Sequence, residues 1–339
     1  MSPCAVVASP SFAPPPGAPP PVAPPSVASP PVAPRRFLSP LLLAPLGLLL
    51  AACQALPHGA QCRALDGRVL VAPPIAPEQR ERLAADLAAA EAALAQAPHD
   101  RDAAVWVGRR LGYLGRHRDA IEAFTRGLDD HPGDPVLLRH RGHRWLTLRE
   151  FGRAIWDLDR AAVALRTTPD AIEPDGRPTP GRTPHATLHY SVHYHLGLAL
   201  FLARDFELAE RAWLHCLAVV GNDESRVAVT HWLWCARMRL GDEAGAAALV
   251  APIHAGMDVV ENRSYLQLCL LYAGTLRRDE IVPLSGSAGS ALAFGLAHHE
   301  LLRGDRERAR RALDALAHEP HWSAFGVIAA EVELASRGW

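Results

Sequence analysis

The feature that most constrains this chain is a 34-residue pattern that recurs along it. Gly108, Gly115, Ala120 and Phe124 lie in residues 101–134, and Gly142, Arg149, Ala154 and Leu158 take the same places in residues 135–168. The set comes back in residues 190–223 as Gly197, Arg204, Ala209 and Trp213, so the step from the small residue to the alanine is twelve each time. A unit repeating at this period cannot bury its apolar face alone. It stacks on copies of itself, and the core runs along the stack. Looser copies cover residues 227–254, with Gly241 and Ala246, and residues 290–317, with Gly304, Asp305 and Ala309. Residues 259–285 between them keep a helical but degenerate pattern.

Each unit reads as two antiparallel helices. Gly108 and Ala120 mark where the helices approach most closely, and Leu111, Phe124 and Leu128 are expected to fill the space between units. Gly115 supplies the left-handed residue that ends the first helix. Residues 101–134 resemble the tetratricopeptide repeat, and the later copies resemble it less closely. Pro77 to Ala97, with Leu83, Leu87, Ala90 and Leu94 on one face, would cap the first unit. Trp322, Phe325, Ile328, Ala329 and Val332 would form the closing helix. The expected fold class is therefore all-α, a right-handed α-solenoid of tetratricopeptide-type helix hairpins with a capping helix at each end, over residues 76–337. Residues 166–187 carry five prolines and interrupt the array.

The order of features is also familiar. It runs through Glu173-Pro174-Asp175-Gly176, His195-Leu196-Gly197, the segment Met257 to Asn262 and the ending Trp322 to Glu331. Over roughly residues 77–336 it resembles a group of bacterial tetratricopeptide proteins. That resemblance implies the fold and no particular activity.

Ahead of the repeats the sequence reads as an address. Residues 1–34 are almost wholly Pro, Ala, Ser and Val, too poor in core-forming residues to fold. Arg35 and Arg36 precede the apolar run Phe37 to Ala52, giving the charged and apolar regions of a signal peptide over residues 35–52. The run ends Leu50-Ala51-Ala52-Cys53, which resembles the bacterial lipobox and implies acylation of Cys53 and a lipid-anchored protein of the cell envelope, facing the periplasm or the exterior. A cleaved secretory signal with a chance cysteine and an uncleaved anchor are the competing readings. The unusual proline-rich start suggests that translation begins at Val32. Gln54 lacks the acidic character of an inner-membrane retention signal, which favours the outer membrane. Residues 53–75, with Pro57, Pro73 and Pro74, read as a tether.

Every basic residue is an arginine and the net charge is −1, so there is no cationic footprint for nucleic acid. The phosphate-loop, nucleophile-elbow and zinc-helix signatures of common enzymes are missing, and no cofactor is expected. Cys216 and Cys235 read as ordinary buried thiols, with a disulfide as the alternative. His185, His189 and His193 recur every fourth residue, with His195 close by. A transition-metal site there, or an enzyme using it, is the alternative reading of function. His298-His299-Glu300 reads as an ordinary helix surface. The favoured reading is a non-catalytic interaction scaffold holding a protein or peptide partner in the concave groove. The first-helix positions that line such grooves are Arg109 and Tyr113, Arg139 and His143, Tyr194 and Leu198, and His231. This basic and aromatic surface suits an extended peptide or a carboxylate-bearing tail.

Overall fold

The computed structural model describes residues 56–176 and 185–339. Helices dominate. A capping helix α1 (Pro77–Gln96) leads into three regular hairpins: α2 (Arg101–Tyr113) with α3 (His117–Asp130), α4 (Pro135–Thr147) with α5 (Phe151–Ala164), and α6 (Leu188–Leu202) with α7 (Phe206–Val219). Then come α8 (Asp223–Leu240) with the short α9 (Glu243–Val250), the single α10 (Arg263–Tyr272), α11 (Gly286–Leu302) with α12 (Arg306–Ala317), and the closing α13 (Phe325–Arg337). This is an all-α solenoid of tetratricopeptide-type hairpins.

The repeat has a local cause. A Cβ at Gly108 would overlap the Phe124 ring, one at Gly142 would overlap Leu158, and one at Gly197 would overlap the Trp213 indole. Each hairpin thus presses one large side chain of its second helix onto a glycine of its first. Phe124 does this inside its own hairpin and also stacks on His140 of the next unit at 5.6 Å, so it fills more than the space between units. Helix starts are fixed by side chains: Asp100, Asp134, Thr187, Asp205, Asn222, Asp242 and Asp305 each accept a backbone N–H of the first turn. The inter-helix turns share one backbone device. Gly115, Gly241 and Gly304 adopt positive φ, and Arg149 and Arg204 do so at φ 64° and 69° in the equivalent places.

An arginine in that conformation is disfavoured by roughly 1–2 kcal/mol, and Arg149 has a compensating environment. Its Nη2 lies 2.5 Å from Glu331 Oε1, its Nε donates to Glu331 Oε2 at 3.1 Å, and Nη1 and Nη2 donate to the carbonyls of Thr147 and Trp322. Both partners of the pair are almost wholly buried. The last helix is thereby tied to the turn of the second hairpin.

The reading of residues 53–75 as a tether is corrected over most of its length. Strands β1 (Ala60–Arg63) and β2 (Val69–Val71) form an antiparallel hairpin whose inward Cys62, Ala64 and Leu70 join the main core. Leu65 N–H donates to Glu331 Oε2, Trp322 Nε1 donates to the Val71 carbonyl, and Arg68 donates to the Ala317 carbonyl. Strands of four and three residues are too short for their inward–outward alternation to stand out beside the prolines. The described cysteines, Cys62, Cys216, Cys235 and Cys269, are free and buried, so Cys216 and Cys235 form no disulfide. His298 is not a surface residue: it is fully buried beside Phe294 and Phe201, with neither ring nitrogen hydrogen-bonded. Cys53 and the lipobox lie outside the described residues, as do residues 177–184 of the proline-rich insert.

Candidate functional site

The residues expected to line one groove fall into two groups with different surroundings. The first lies on α2 and α4, and the chain itself covers it. The described part of the insert crosses these helices in extended form, pinned by a bridge between Ile172 and Thr187. Arg109 Nη1 donates to the Pro174 carbonyl at 2.7 Å and its Nη2 to the Tyr113 hydroxyl at 3.3 Å, with the guanidinium 4.4 Å from the centre of the Trp106 ring. Arg110 Nη1 donates to the Gly176 carbonyl at 3.3 Å. Arg139 pairs with the Glu173 carboxylate at 3.0 Å, both side chains largely buried.

Neighbouring histidines are tuned by this cationic row. Arg139 Nη1 donates to His140 Nδ1 at 2.8 Å, which requires that nitrogen to keep its lone pair. Burial, followed by Arg139 and Arg109, holds His140 well below the usual histidine range. Burial and the adjacent Arg139 also bring Arg144 down to about 10. Two groups stay incompletely matched: Arg139 Nε and Glu173 Oε1 are buried with no hydrogen-bond partner. Both residues line a cavity of about 210 Å³ that also takes in Arg109, His140, Asp175, His185 and Glu261. A second cleft of about 450 Å³ runs along α2 past Trp106, Val105 and Ile172 and shares Arg109, His140, Glu173 and Pro174. The face therefore binds extended backbone through its carbonyls and a carboxylate through Arg139. It keeps spare donors, acceptors and volume on either side.

The second group is closed. Leu198 and His231 are fully buried and Tyr194 nearly so. The Tyr194 hydroxyl accepts from Trp232 Nε1 at 3.0 Å and meets the Tyr265 hydroxyl at 3.5 Å. His231 lies between Tyr265 and Tyr272, its Nδ1 3.2 Å from the Tyr272 hydroxyl, and burial depresses its pKa to about 3. His143 contacts His195 at 4.5 Å and Phe325 at 5.3 Å between ring centres. Tyr194, Leu198 and His231 are corrected from groove lining to core, and His143 is half-buried against His195 and Phe325. The physical cause is continuation of the coil: α10 and the start of α13 pack onto the faces that shorter arrays leave open.

The histidine cluster does not converge. His185 precedes α6, His189 Nε2 contacts the Thr168 carbonyl, His193 stacks on His215, and His195 Nδ1 contacts the Ser191 carbonyl inside the core. Among the described residues no group of three or more His, Cys, Asp or Glu side chains is placed to hold a metal ion. Sequence reasoning missed Glu173 and Glu331 as partners of Arg139 and Arg149. For the latter a signal existed: an arginine at a glycine position, and a glutamate inside an apolar helix.

The hairpins and the covered arginine face define an α-helical repeat protein of the tetratricopeptide type. No protein-family model matches the sequence, and no curated protein matches it. Among solved structures, YrrB, described as a TPR protein with an unusual peptide-binding site, is 12% identical with a TM-score of 0.40, over 67% of this chain and 90% of that one. PilW, a type IV pilus biogenesis factor, is 16% identical with a TM-score of 0.43, over 70% and 86%. A tetratricopeptide repeat protein from Parabacteroides merdae is 14% identical with a TM-score of 0.46, over 74% and 93%. Likeness at this level concerns the fold alone, and the assignment rests on the hairpin geometry itself.

Proposed function

We propose that this protein is a non-catalytic interaction scaffold of the bacterial cell envelope, anchored through an acylated Cys53, and that it holds an extended partner segment on the α2–α4 face. One observation carries the reading. That face already grips an extended segment, Glu173 to Gly176, through two backbone carbonyls and one carboxylate. Carbonyls are common to every peptide, so the same donors serve a partner once the insert moves aside, and the carboxylate contact adds a preference for acidic sequence. The test is crosslinking in native envelopes followed by mass spectrometry, with wild type beside an Arg109→Ala/Arg139→Ala double variant. The variant is expected to stay folded by circular dichroism and to lose one set of crosslinked neighbours that wild type retains. Equal recovery of every neighbour by the two proteins would refute the face. The absence of acyl modification on the peptide beginning at Cys53 would refute the anchor independently.

A further inference from the structure

The hairpin that replaces the expected tether has an outward face with its own chemistry. Strand β2 turns Leu70 inward and leaves Val69 39% and Val71 53% exposed, and Leu65 at the turn is 40% exposed. Three apolar side chains thus stand in water on a structure of some dozen residues. Arg63 sits opposite Val69 in the strand register, on the same outward face. Beside them opens a cavity of about 540 Å³ lined by Leu56, Leu65, Trp145, Arg63, Arg118 and Arg153, among others. Glu150 is the one acid on its wall, 3.9 Å from Arg153. Arg149, also on the wall, is neutralised by Glu331. Asp66 in the hairpin turn and Asp119 beside Arg118 are each paired with an arginine of their own, Arg68 and Arg116. The balance of charge around the apolar patch is therefore positive.

The chain dictates what this patch meets. Three peptide units separate Cys53 from Leu56 on the cavity wall, and whatever their conformation they span at most about 11 Å. An acyl group on Cys53 would keep the patch within reach of the lipid headgroups at all times. We infer that the β1–β2 hairpin with Arg63, Arg118 and Arg153 is a membrane-docking surface: Leu65, Val69 and Val71 enter the interface of the bilayer, and the arginines bind anionic lipid headgroups. The inference rests on the anchoring reading of Cys53. It adds a fixed orientation: the solenoid lies against the membrane by the side that carries the β1–β2 hairpin and does not swing on a leash. Arginine suits this place because its guanidinium meets phosphate in a bidentate way while its stem lies along apolar surface.

The test uses the full exported chain reconstituted into vesicles, with an environment-sensitive fluorophore on Val69→Cys. The native described cysteines are buried and do not compete for the label. In vesicles rich in phosphatidylglycerol the label is expected to shift to the blue and to be quenched by a quencher attached to the lipid chains. In pure phosphatidylcholine, at high salt, or with Arg63, Arg118 and Arg153 changed to glutamate, the docked fraction falls. Each arginine removed lowers the docked-to-undocked ratio about fivefold. The single Arg153→Glu variant, which alters an exposed position on α5, gives the same direction of change should the triple variant fail to fold. The same label on Glu243→Cys in α9 reports water in every vesicle. Equal emission from the Val69 label in the two lipids, without quenching, overturns the docking surface while palmitate incorporation at Cys53 preserves the anchor. Absence of palmitate removes the leash and overturns both.

Discussion

The hairpins α2–α5 and the elements α8–α13 follow the same packing logic and end in opposite states. In the first region the inner face is a row of arginines held by a short extended segment with unmatched polar atoms beside it. In the second the equivalent face is an aromatic core of Trp232, Phe294 and Tyr265, with the partly buried Tyr272 packed against it. A repeat therefore does not specify whether its concave side is used for binding. That depends on which residues follow it and whether they fold back.

The sharpest way to break the contrast is to cut the tie between the two regions. Glu331→Ala strands the Arg149 charge in the core, and a loss of about 3–5 kcal/mol is expected in urea unfolding. The corresponding Glu173→Ala, at the wall of the cavity of about 210 Å³, should cost only about 1–3 kcal/mol. Equal losses would mean that the insert is as integral as the closing helix. Ala120→Leu, at a fully buried position between α2 and α3, should overpack the regular region by about 1–3 kcal/mol. A thermal midpoint that does not move would contradict the hairpin register.

Acid probes the core of the second region next. Burial, opposed by Glu333, depresses His298 from 6.5 to about 4. Above pH 6.5 the residue is neutral folded or unfolded and stability does not depend on it. As pH falls from 6.5 toward 4 the unfolded chain takes up the proton and the folded one does not, so stability drops by about 1.4 kcal/mol per pH unit. His298→Leu is expected to lessen the pH slope of the urea stability between these limits by that amount, the buried His140 and His231 keeping their own share. An unchanged slope would place the acid sensitivity elsewhere. The smallest effect concerns Arg204, one of the two left-handed arginines. Arg204 is exposed, so Arg204→Gly should stabilise by about 1 kcal/mol. Arg149→Gly should destabilise because the buried pair is lost, and a differential scanning comparison of the two would show opposite shifts.

Much of the architecture was legible because its causes are short-range. Gly108 with Phe124, and Gly197 with Trp213, stand sixteen residues apart within one hairpin. The aspartate caps act over three residues, and the left-handed turns fall at fixed positions between helices. The groove was only half legible. Arg109, Tyr113 and Arg139 do share a face with binding chemistry, whereas Tyr194, Leu198 and His231 belong to the core and His143 lies half-buried beside it. Nothing local to Leu198 tells an inner groove wall from a buried one.

By itself, then, the sequence determined the unit: two helices, their closest approach, their caps and their turn, each set by contacts within about one repeat length. Only the tertiary structure decided how the units close. The Arg149–Glu331 pair joins residues 182 apart, and the hairpin of residues 60–71 finds its place between α3 and the distant segment Ala317 to Glu331. Curvature accumulates over many interfaces, each contributing a small rotation, and no window of sequence contains that sum.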